Sequence, residues 1–378
     1  MYDPRLDKLA DVIVNYSVAV KRGEDVYITS EAIGTPLVTA IYAAVVKAGG
    51  HPFVSIKPDE WDEILLTLAS DEQLLRANTF EKYIMATVPV RIALWAEHNT
   101  RSLSNVDTKK QAALSKGRKP ILDIFMKREA LVGNDPKRLR WVGTLFPTAA
   151  SAQDAEMSLR EYEDFVYRAG KLHLPNPVAA WKKQGVAQQR LADYMNKARE
   201  VHFKTPQGTD VRMGIAGRKW INCQGESNFP DGEIFSAPIE DAVDGTVYYQ
   251  IPAVYGGREV TDIRLTFKAG RVIDCSASKN EDYLIKMLDQ DKGGRTLGEI
   301  ALGTNYDIKI ATRNTLFDEK IGGTFHAALG AAYPATGGKN SSGLHWDMVC
   351  DLRKGGTVTV DGKVISKNGK FAKAEWPR

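Results

Sequence analysis

The sequence has few cysteines, no large excess of one charge and no long apolar run. Its 378 residues include three cysteines, at positions 223, 275 and 350, without a CxxC pair. Because these cysteines are odd in number and widely spaced, a disulfide framework is not expected and a reducing compartment is favoured. Apolar stretches such as residues 37–46 fall far short of the ~20 residues that a membrane span needs. The net charge of +4 is too small to predict a polyanionic partner by itself.

The signatures of several enzyme classes are also missing. There is no HExxH zinc-protease motif, no GxGxxG dinucleotide loop and no GxSxG hydrolase elbow. Gly337-Gly338-Lys339 is followed by Asn340, not by the Ser or Thr of a phosphate-binding loop. The first residues, Met1 to Arg5, carry charges and show no apolar segment of a secretory signal. We therefore expect a cytoplasmic protein with neither a nucleotide loop nor a serine nucleophile.

What is present is the composition of an ordinary globular protein, with 43% apolar and 26% charged residues, which excludes collagen-like and wholly disordered chains. The length suggests two domains. Up to about residue 180 helical and strand patterns alternate, which predicts a parallel sheet covered by helices. The predicted strands are 26–29, 52–56 and 83–90. The predicted helices are 6–20, 37–48, 62–77, 154–169 and 187–199.

After residue 200 the pattern changes to that of antiparallel strands. Residues 263–275 read as a β-hairpin, and Asp361-Gly362 is a two-residue hairpin turn between two β-rich runs. One clear helix is predicted at 281–288. The expected fold is therefore α/β, with an N-terminal domain (1–185) built on a parallel sheet with covering helices. A C-terminal α+β domain (186–378) with an antiparallel-rich sheet follows.

Positive charge is concentrated in residues 101–140, which contain eleven Lys or Arg and four acidic residues. The plainest interpretation is a solvated surface. Nucleic-acid binding is less favoured, because Phe125 alone in this window offers a stacking face. The third interpretation is that the window steers anionic substrates towards an active site.

Four segments of the C-terminal half concentrate potential metal ligands, at 228–235, 297–305, 318–333 and 345–349. In a strand, His345 and Asp347 would point to the same side. In a helix over 325–332, His326 and Tyr333 would share a face. A buried carboxylate at Glu299 would need a partner, which a cation supplies.

Each residue alone has a plainer explanation, such as a turn-flanking acid at Glu233, a core histidine at His326 or a packing tyrosine at Tyr333. Taken together, carboxylates and imidazoles without a thiolate suit zinc, cobalt or manganese. A metal site is therefore a hypothesis here rather than a conclusion.

These segments closely resemble the aminopeptidase T family of dinuclear metalloaminopeptidases, also described as the thermophilic aminopeptidase family. The similar stretches are 228–233, 252–259, 302–305, 318–326 and 345–348, and more loosely 14–17 and 157–163. The resemblance implies a homodimer in which an N-terminal α/β domain covers the catalytic domain and encloses the active site. It also implies six metal ligands: Glu233, Glu299, His326, Tyr333, His345 and Asp347.

The activity implied is removal of N-terminal residues from peptides with a free N-terminus, by a water bridging two divalent ions (Zn, Co or Mn). Glu299 is the first choice for bridging ligand, and Glu299 or Glu319 for general base. No nucleic-acid or membrane partner is expected. The alternatives are a non-catalytic metal-binding relative and a hydrolase of another amine-bearing amide.

Overall fold

A computed structural model describes residues 3–378 of the chain; Met1 and Tyr2, in the charged N-terminal stretch, lie outside the described residues. Its first elements are α1 (Arg5–Val12), β1 (Asp25–Glu31), α2 (Thr35–Lys47), β2 (His51–Lys57), α3 (Glu60–Leu68), α4 (Asp71–Leu75), α5 (Thr79–Thr87), β3 (Val90–Trp95), α6 (Thr108–Glu129), β4 (Arg140–Leu145), α7 (Ala149–Asp154), α8 (Leu159–Ala169) and α9 (Pro177–Met195).

The second half of the chain is built mainly of strands. Its elements are β5 (Glu200–Lys204), β6 (Asp210–Gly214), β7 (Ile221–Cys223), β8 (Asn228–Phe229), β9 (Glu233–Ser236), β10 (Val243–Tyr249), β11 (Ala253–Tyr255), β12 (Arg258–Val260), β13 (Ile263–Lys268), β14 (Arg271–Ser276), α10 (Glu281–Leu288), β15 (Leu297–Gly303), α11 (Thr315–Asp318), β16 (Thr324–Gly330), β17 (His345–Asp351), β18 (Thr357–Val360), β19 (Lys363–Lys367) and β20 (Lys370–Phe371). No helix among residues 3–378 is both long enough and apolar enough to cross a bilayer.

The described residues form two compact units, one of 3–178 with 225–229 and one of 179–224 with 230–378. The first unit holds a parallel sheet in the order β2-β1-β3-β4-β8. Helices alternate with its strands, as the sequence pattern predicts. Val26 and Ile28 of β1 are fully buried, because one face of the sheet packs against helices.

The second unit contains two larger antiparallel sheets with a common apolar core. One has the order β14-β13-β10-β6-β5-β18-β19-β20 and the other β17-β16-β15-β9-β7. Phe203 of the first sheet stacks on Phe325 of the second, with ring centroids 3.9 Å apart. Met213 and Met348 join the same buried cluster. The unit is therefore a sheet-on-sheet arrangement whose strands bury one face each.

The fold class agrees with the expectation, with a parallel sheet in the N-terminal region and antiparallel sheets in the C-terminal region. The helix at 281–288 is present with those bounds, and β13 and β14 form the predicted hairpin. Strands β18 and β19 pair around Asp361-Gly362, both of which have positive φ as that turn requires.

The prediction of a strand at 83–90 is wrong. Residues 79–87 form α5, and β3 begins at Val90. The helix begins because the Asn78 side chain accepts hydrogen bonds from the backbone N–H groups of Phe80 and Glu81. Pairing of β3 with β1 then starts at Val26 opposite Val90. A local cap therefore outweighed the β-rich composition of this segment.

Other helix bounds differ for similar reasons. The predicted helix 62–77 is two helices, α3 and α4, because Ser70 forms a capping box with Gln73 and starts a new helix. Ser158 and Glu161 likewise begin α8 and divide the predicted helix 154–169. The last predicted helix starts at Pro177 instead of 187, since proline is tolerated in a first helical turn.

Candidate metal centre

Four neighbouring strands of the second unit present the predicted ligands. Their order is β17-β16-β15-β9, and all pairs are antiparallel. Cross-strand partners lie on the same face of a sheet. Glu233 on β9 lies opposite Gly303 on β15, which is on the same face of that strand as Glu299. Ala328 on β16 lies opposite Glu299 on one side and opposite Asp347 of β17 on the other. The register therefore places the three carboxylates on one face of the sheet.

The two histidines complete this face. His326 lies opposite Ala301 on β15, and His345 is two residues from Asp347 on β17. Trp346, between His345 and Asp347, and Met348, which follows Asp347, point into the apolar core. The predicted strand at 345–349 is thus present, with polar side chains on one side and apolar ones on the other.

The helix considered for residues 325–332, on which His326 and Tyr333 would share a face, is not present. Residues 324–330 form β16, buried over its whole length between β15 and β17. Tyr333 follows this strand and is 41% exposed. Its ring meets the His345 ring edge-on at 5.3 Å between centroids, and the Phe235 ring at 5.4 Å. Tyr333 therefore reaches the histidine through the chain segment after the strand rather than along a helix face.

The ligand atoms lie close together around Glu299. His326 Nε2 is 3.3 Å from Glu299 Oε1 and 3.3 Å from Glu233 Oε2. His345 Nε2 is 3.5 Å from the other oxygen of Glu299 and 3.6 Å from Asp347 Oδ2. Two groups of three possible ligands, each within 4.8 Å, share this glutamate. One carboxylate therefore lies between two imidazoles, with one oxygen near each.

Several polar atoms of the cluster are buried without a hydrogen-bond partner among the described residues, namely Glu233 Oε2, His326 Nδ1 and Asp347 Oδ1. Burial raises the pKa of Glu233 and of Asp347 above their usual values. Burial lowers the pKa of His326, but the nearby carboxylates outweigh it and raise that pKa. Buried carboxylates and imidazoles with unpartnered atoms are a donor set that fits divalent cations.

Lys320 is a residue of this cluster that the sequence patterns do not reveal. It is buried, its Nζ lies 2.7 Å from Glu233 Oε1, and it also contacts the Glu319 carboxylate. Asp231 Oδ1 is 3.9 Å away. In the sequence, Glu319-Lys320 reads as a surface turn with a local ion pair. Burial of Lys320 follows only from the packing of the turn.

Glu319, the alternative general base, borders the same cluster. One of its oxygens lies within 4.8 Å of ligand atoms of His326 and Asp347. A small cleft beside it is also bordered by Pro252 and Arg313. Glu319 therefore combines its contact with Lys320 with a position beside the ligands.

Four matches to known proteins cover most or nearly all of the chain. The model of the thermophilic metalloprotease (M29) family matches residues 2–371. Aminopeptidase 2 of Geobacillus stearothermophilus is 28% identical, over 98% of each chain. Aminopeptidase T of Thermus thermophilus is 28% identical, over 87% of this chain and 85% of its own. The solved structure of wild-type AmpT from Thermus thermophilus covers 99% of this chain and 100% of its own, with a TM-score of 0.85 and 25% identity.

Proposed function

The chain belongs to the thermophilic metalloprotease (M29) family, and from this premise we propose that it is a metal-dependent aminopeptidase acting on peptides with a free N-terminus. The observation that carries the proposal is the cluster around Glu299, where two imidazoles and two further carboxylates meet on one sheet face. The aminopeptidase names of its relatives agree with this activity.

We assign the ligands by motif and by position as Glu233, Glu299, His326, Tyr333, His345 and Asp347. Glu299 is the shared ligand, because each of its oxygens contacts a different histidine. Two ions fit this arrangement, and zinc, cobalt or manganese suit its donors. When bound, such ions polarise the scissile carbonyl and lower the pKa of a water.

The protein's own residues have separate tasks in this proposal. Glu299 is held between two imidazoles, which leaves it little freedom to carry a proton. Glu319 borders the cleft and is our choice for accepting the proton of the attacking water and passing it to the leaving amine. Lys320 holds Glu319 and Glu233 in place through its two contacts.

Hydrolysis of aminoacyl-nitroanilides (Leu, Arg, Phe, Ala and Glu) tests the proposed activity. The protein is assayed as purified, after chelation and after re-addition of cobalt or zinc, with His345→Ala alongside. We expect activity to be lost on chelation, restored by metal and absent in the variant. N-acetylated substrates should not be cleaved, because an aminopeptidase needs the free amine.

Two other outcomes would replace this function. Cleavage of acetylated substrates would indicate a hydrolase of another class of amide. Neither activity nor bound metal would indicate a non-catalytic relative. The proposal is thus separated from both alternatives by one panel.

Three further features belong to the proposal. We propose two domains with a boundary near residue 185, a homodimer and a cytoplasmic location. The dimer follows from the resemblance to the family, and sedimentation velocity tests it. The three free cysteines support a reducing compartment.

A further inference from the structure

One face of the parallel sheet carries polar side chains where a sheet covered on both faces ordinarily carries apolar ones. Along β1, Val26 and Ile28 are fully buried on one side, whereas Tyr27 and Thr29 on the other are half-buried. Parallel pairing places Arg91 of β3 beside Tyr27 on that second face. Such departures from the local pattern concentrate at functional sites.

A cavity of about 600 Å³ lies between this face and the helices α5 and α6. Strands β1 and β3 both line it, up to Glu31 and Trp95 at their carboxyl ends. In the sheet order β2-β1-β3-β4, β2 is added on one side of β1, whereas β3 and β4 are added on the other. The direction in which strands are added therefore changes between β1 and β3. In open α/β sheets, ligands bind beyond the carboxyl ends of strands at such a reversal. The cavity therefore has the position and the size of a small-molecule site.

The guanidinium of Arg91 lines this cavity and makes no ion pair among residues 3–378, because the nearby Glu81 is paired with Arg118. Its Nε is buried without a hydrogen-bond partner, and its Cζ is 5.8 Å from the centroid of the Phe125 ring. The other charged lining groups have partners: Lys57 pairs with Asp62, Arg118 with Glu81, and Glu31 accepts the backbone N–H of Ala96. Burial is the main cause that lowers the pKa of Arg91, and Arg118 lowers it further, whereas Tyr27 and Glu81 oppose the shift. The guanidinium of Arg91 is therefore available to pair with an anionic ligand.

The rest of the lining is largely apolar. Trp95 and Leu122 are 40% and 56% exposed, so their surfaces are available to a ligand. A side chain at Gly143 would come within 2.3 Å of the Trp95 indole, so the glycine allows the ring to lie against β4. The hydroxyls of Thr29 and Ser55 add hydrogen-bonding groups. These walls favour an anion with an apolar body over a bare inorganic ion.

We propose that this cavity binds a small organic carboxylate whose charged end pairs with Arg91 and whose apolar body packs against Trp95 and Leu122. A guanidinium presents two parallel N–H donors that match the two oxygens of a carboxylate. All lining residues belong to the first unit, whereas the metal cluster belongs to the second. The site is therefore additional to the proposed peptidase centre.

Calorimetric titration of the metal-loaded protein with 3-phenylpropionate tests this site. The uncharged 3-phenylpropanamide and inorganic phosphate serve as comparison ligands. We expect 3-phenylpropionate to bind at least about tenfold more tightly than either, since the amide lacks the charge and phosphate lacks the apolar body.

Variants locate the binding. Arg91→Met should weaken binding of 3-phenylpropionate by at least about tenfold. Lys57→Met, which removes a lining cation already paired with Asp62, should leave binding nearly unchanged. Because Arg91 makes no ion pair or hydrogen bond within the described part of the chain and methionine keeps an apolar stem beside Phe125, its replacement should leave the melting temperature nearly unchanged. Ala93→Leu, which narrows the cavity without changing its charge, should also weaken binding. His345→Ala should retain binding, because His345 belongs to the candidate metal-ligand group of the second unit and does not line this cavity.

Four results would overturn the site. These are equal binding by wild type and Arg91→Met, loss of binding in His345→Ala, equal affinity for phosphate and 3-phenylpropionate, and no binding at millimolar concentration. The second would place the carboxylate on the metal cluster. Because binding is measured rather than hydrolysis, failure here is distinct from failure of the proposed peptidase function.

Discussion

Lys320 is a single buried residue whose positive charge balances two carboxylates at the candidate metal centre. It is 1% exposed and contacts two carboxylates, one of them a proposed ligand. Removing one member of a buried ion pair leaves the other charge uncompensated. The chemical types of Glu233 and the other proposed ligands, and the motifs in which they lie, can be read from the sequence. The burial of Lys320 cannot, because that depends on how the 318–321 turn packs.

Lys320→Met should lower the free energy of unfolding of the metal-free protein by about 3–5 kcal/mol. Added zinc should recover part of this loss, because a cation can then compensate Glu233. Urea unfolding with and without chelator measures both effects. Lys204→Met, which removes an exposed lysine paired with Asp210, should change stability by less than about 1 kcal/mol. Equal losses in the two variants would contradict the role of Lys320.

Glu319→Gln and Glu299→Gln should separate proton transfer from metal binding. Glu319→Gln should keep its metal and lower kcat by about 10²–10⁴, because the amide cannot accept a proton. Glu299→Gln should lose metal, because Glu299 is the proposed shared ligand. Metal content by mass spectrometry and steady-state kinetics distinguish them. Loss of metal in Glu319→Gln would make it a ligand instead of a base.

At the scale of elements, β16 decides the geometry of the site. Its sequence, 324–330, is a short and mostly apolar run, and such runs do not distinguish a buried strand from a buried helix. The choice is made by β15 and β17, which pair with it on both sides. The hairpins and the helix at 281–288 were predictable, because turn residues and helical spacing are local signals.

Two neighbouring alanines of β16 test its strand conformation. Ala327 is part of the apolar core. Ala328 lies on the sheet face that carries the proposed ligands, between Glu299 and Asp347. Ala327→Val should lower the free energy of unfolding by about 1–3 kcal/mol through overpacking, with metal affinity unchanged. Ala328→Val should weaken metal binding by about tenfold, because it displaces the ligands. Unfolding curves and metal titrations of both variants provide the check, and the same effect from both changes would contradict this register.

At the scale of the whole molecule, the alternation of helices and strands before residue 180 is enough to predict the parallel sheet. The pattern does not reveal that β8, at 228–229, pairs with Gly143 and Thr144 of the same sheet. That pairing joins residues far apart in sequence, for which local patterns carry no signal. The two-residue strand is also too short to show a period.

The basic window 101–140 is partly structural. Lys110, Arg128 and Arg140 donate hydrogen bonds to backbone carbonyls of other segments, which anchors these side chains. Lys109 and Lys116, by contrast, are exposed. The window is therefore not a uniform solvated surface, and the steering hypothesis rests on its exposed members.

If the window steers substrates, reversing Lys109 and Lys116 to Glu should lower kcat/KM for acidic peptides by up to about tenfold at low salt. The difference from wild type should shrink as ionic strength rises, because salt screens exposed charges. Initial rates across a salt series measure it. Unchanged kcat/KM and salt dependence would leave these lysines as surface charges without a steering role.

We propose that the cluster around Glu299 holds two divalent ions and that the protein loaded with them is an aminopeptidase. The most direct measurement is the rate of leucine nitroanilide hydrolysis as cobalt or zinc is added stepwise to the chelated protein. We expect the rate to rise from zero and to saturate at about two equivalents per chain, with acetyl-leucine nitroanilide uncleaved throughout. A rate that stays at zero at every metal concentration, or that does not depend on metal, would contradict it.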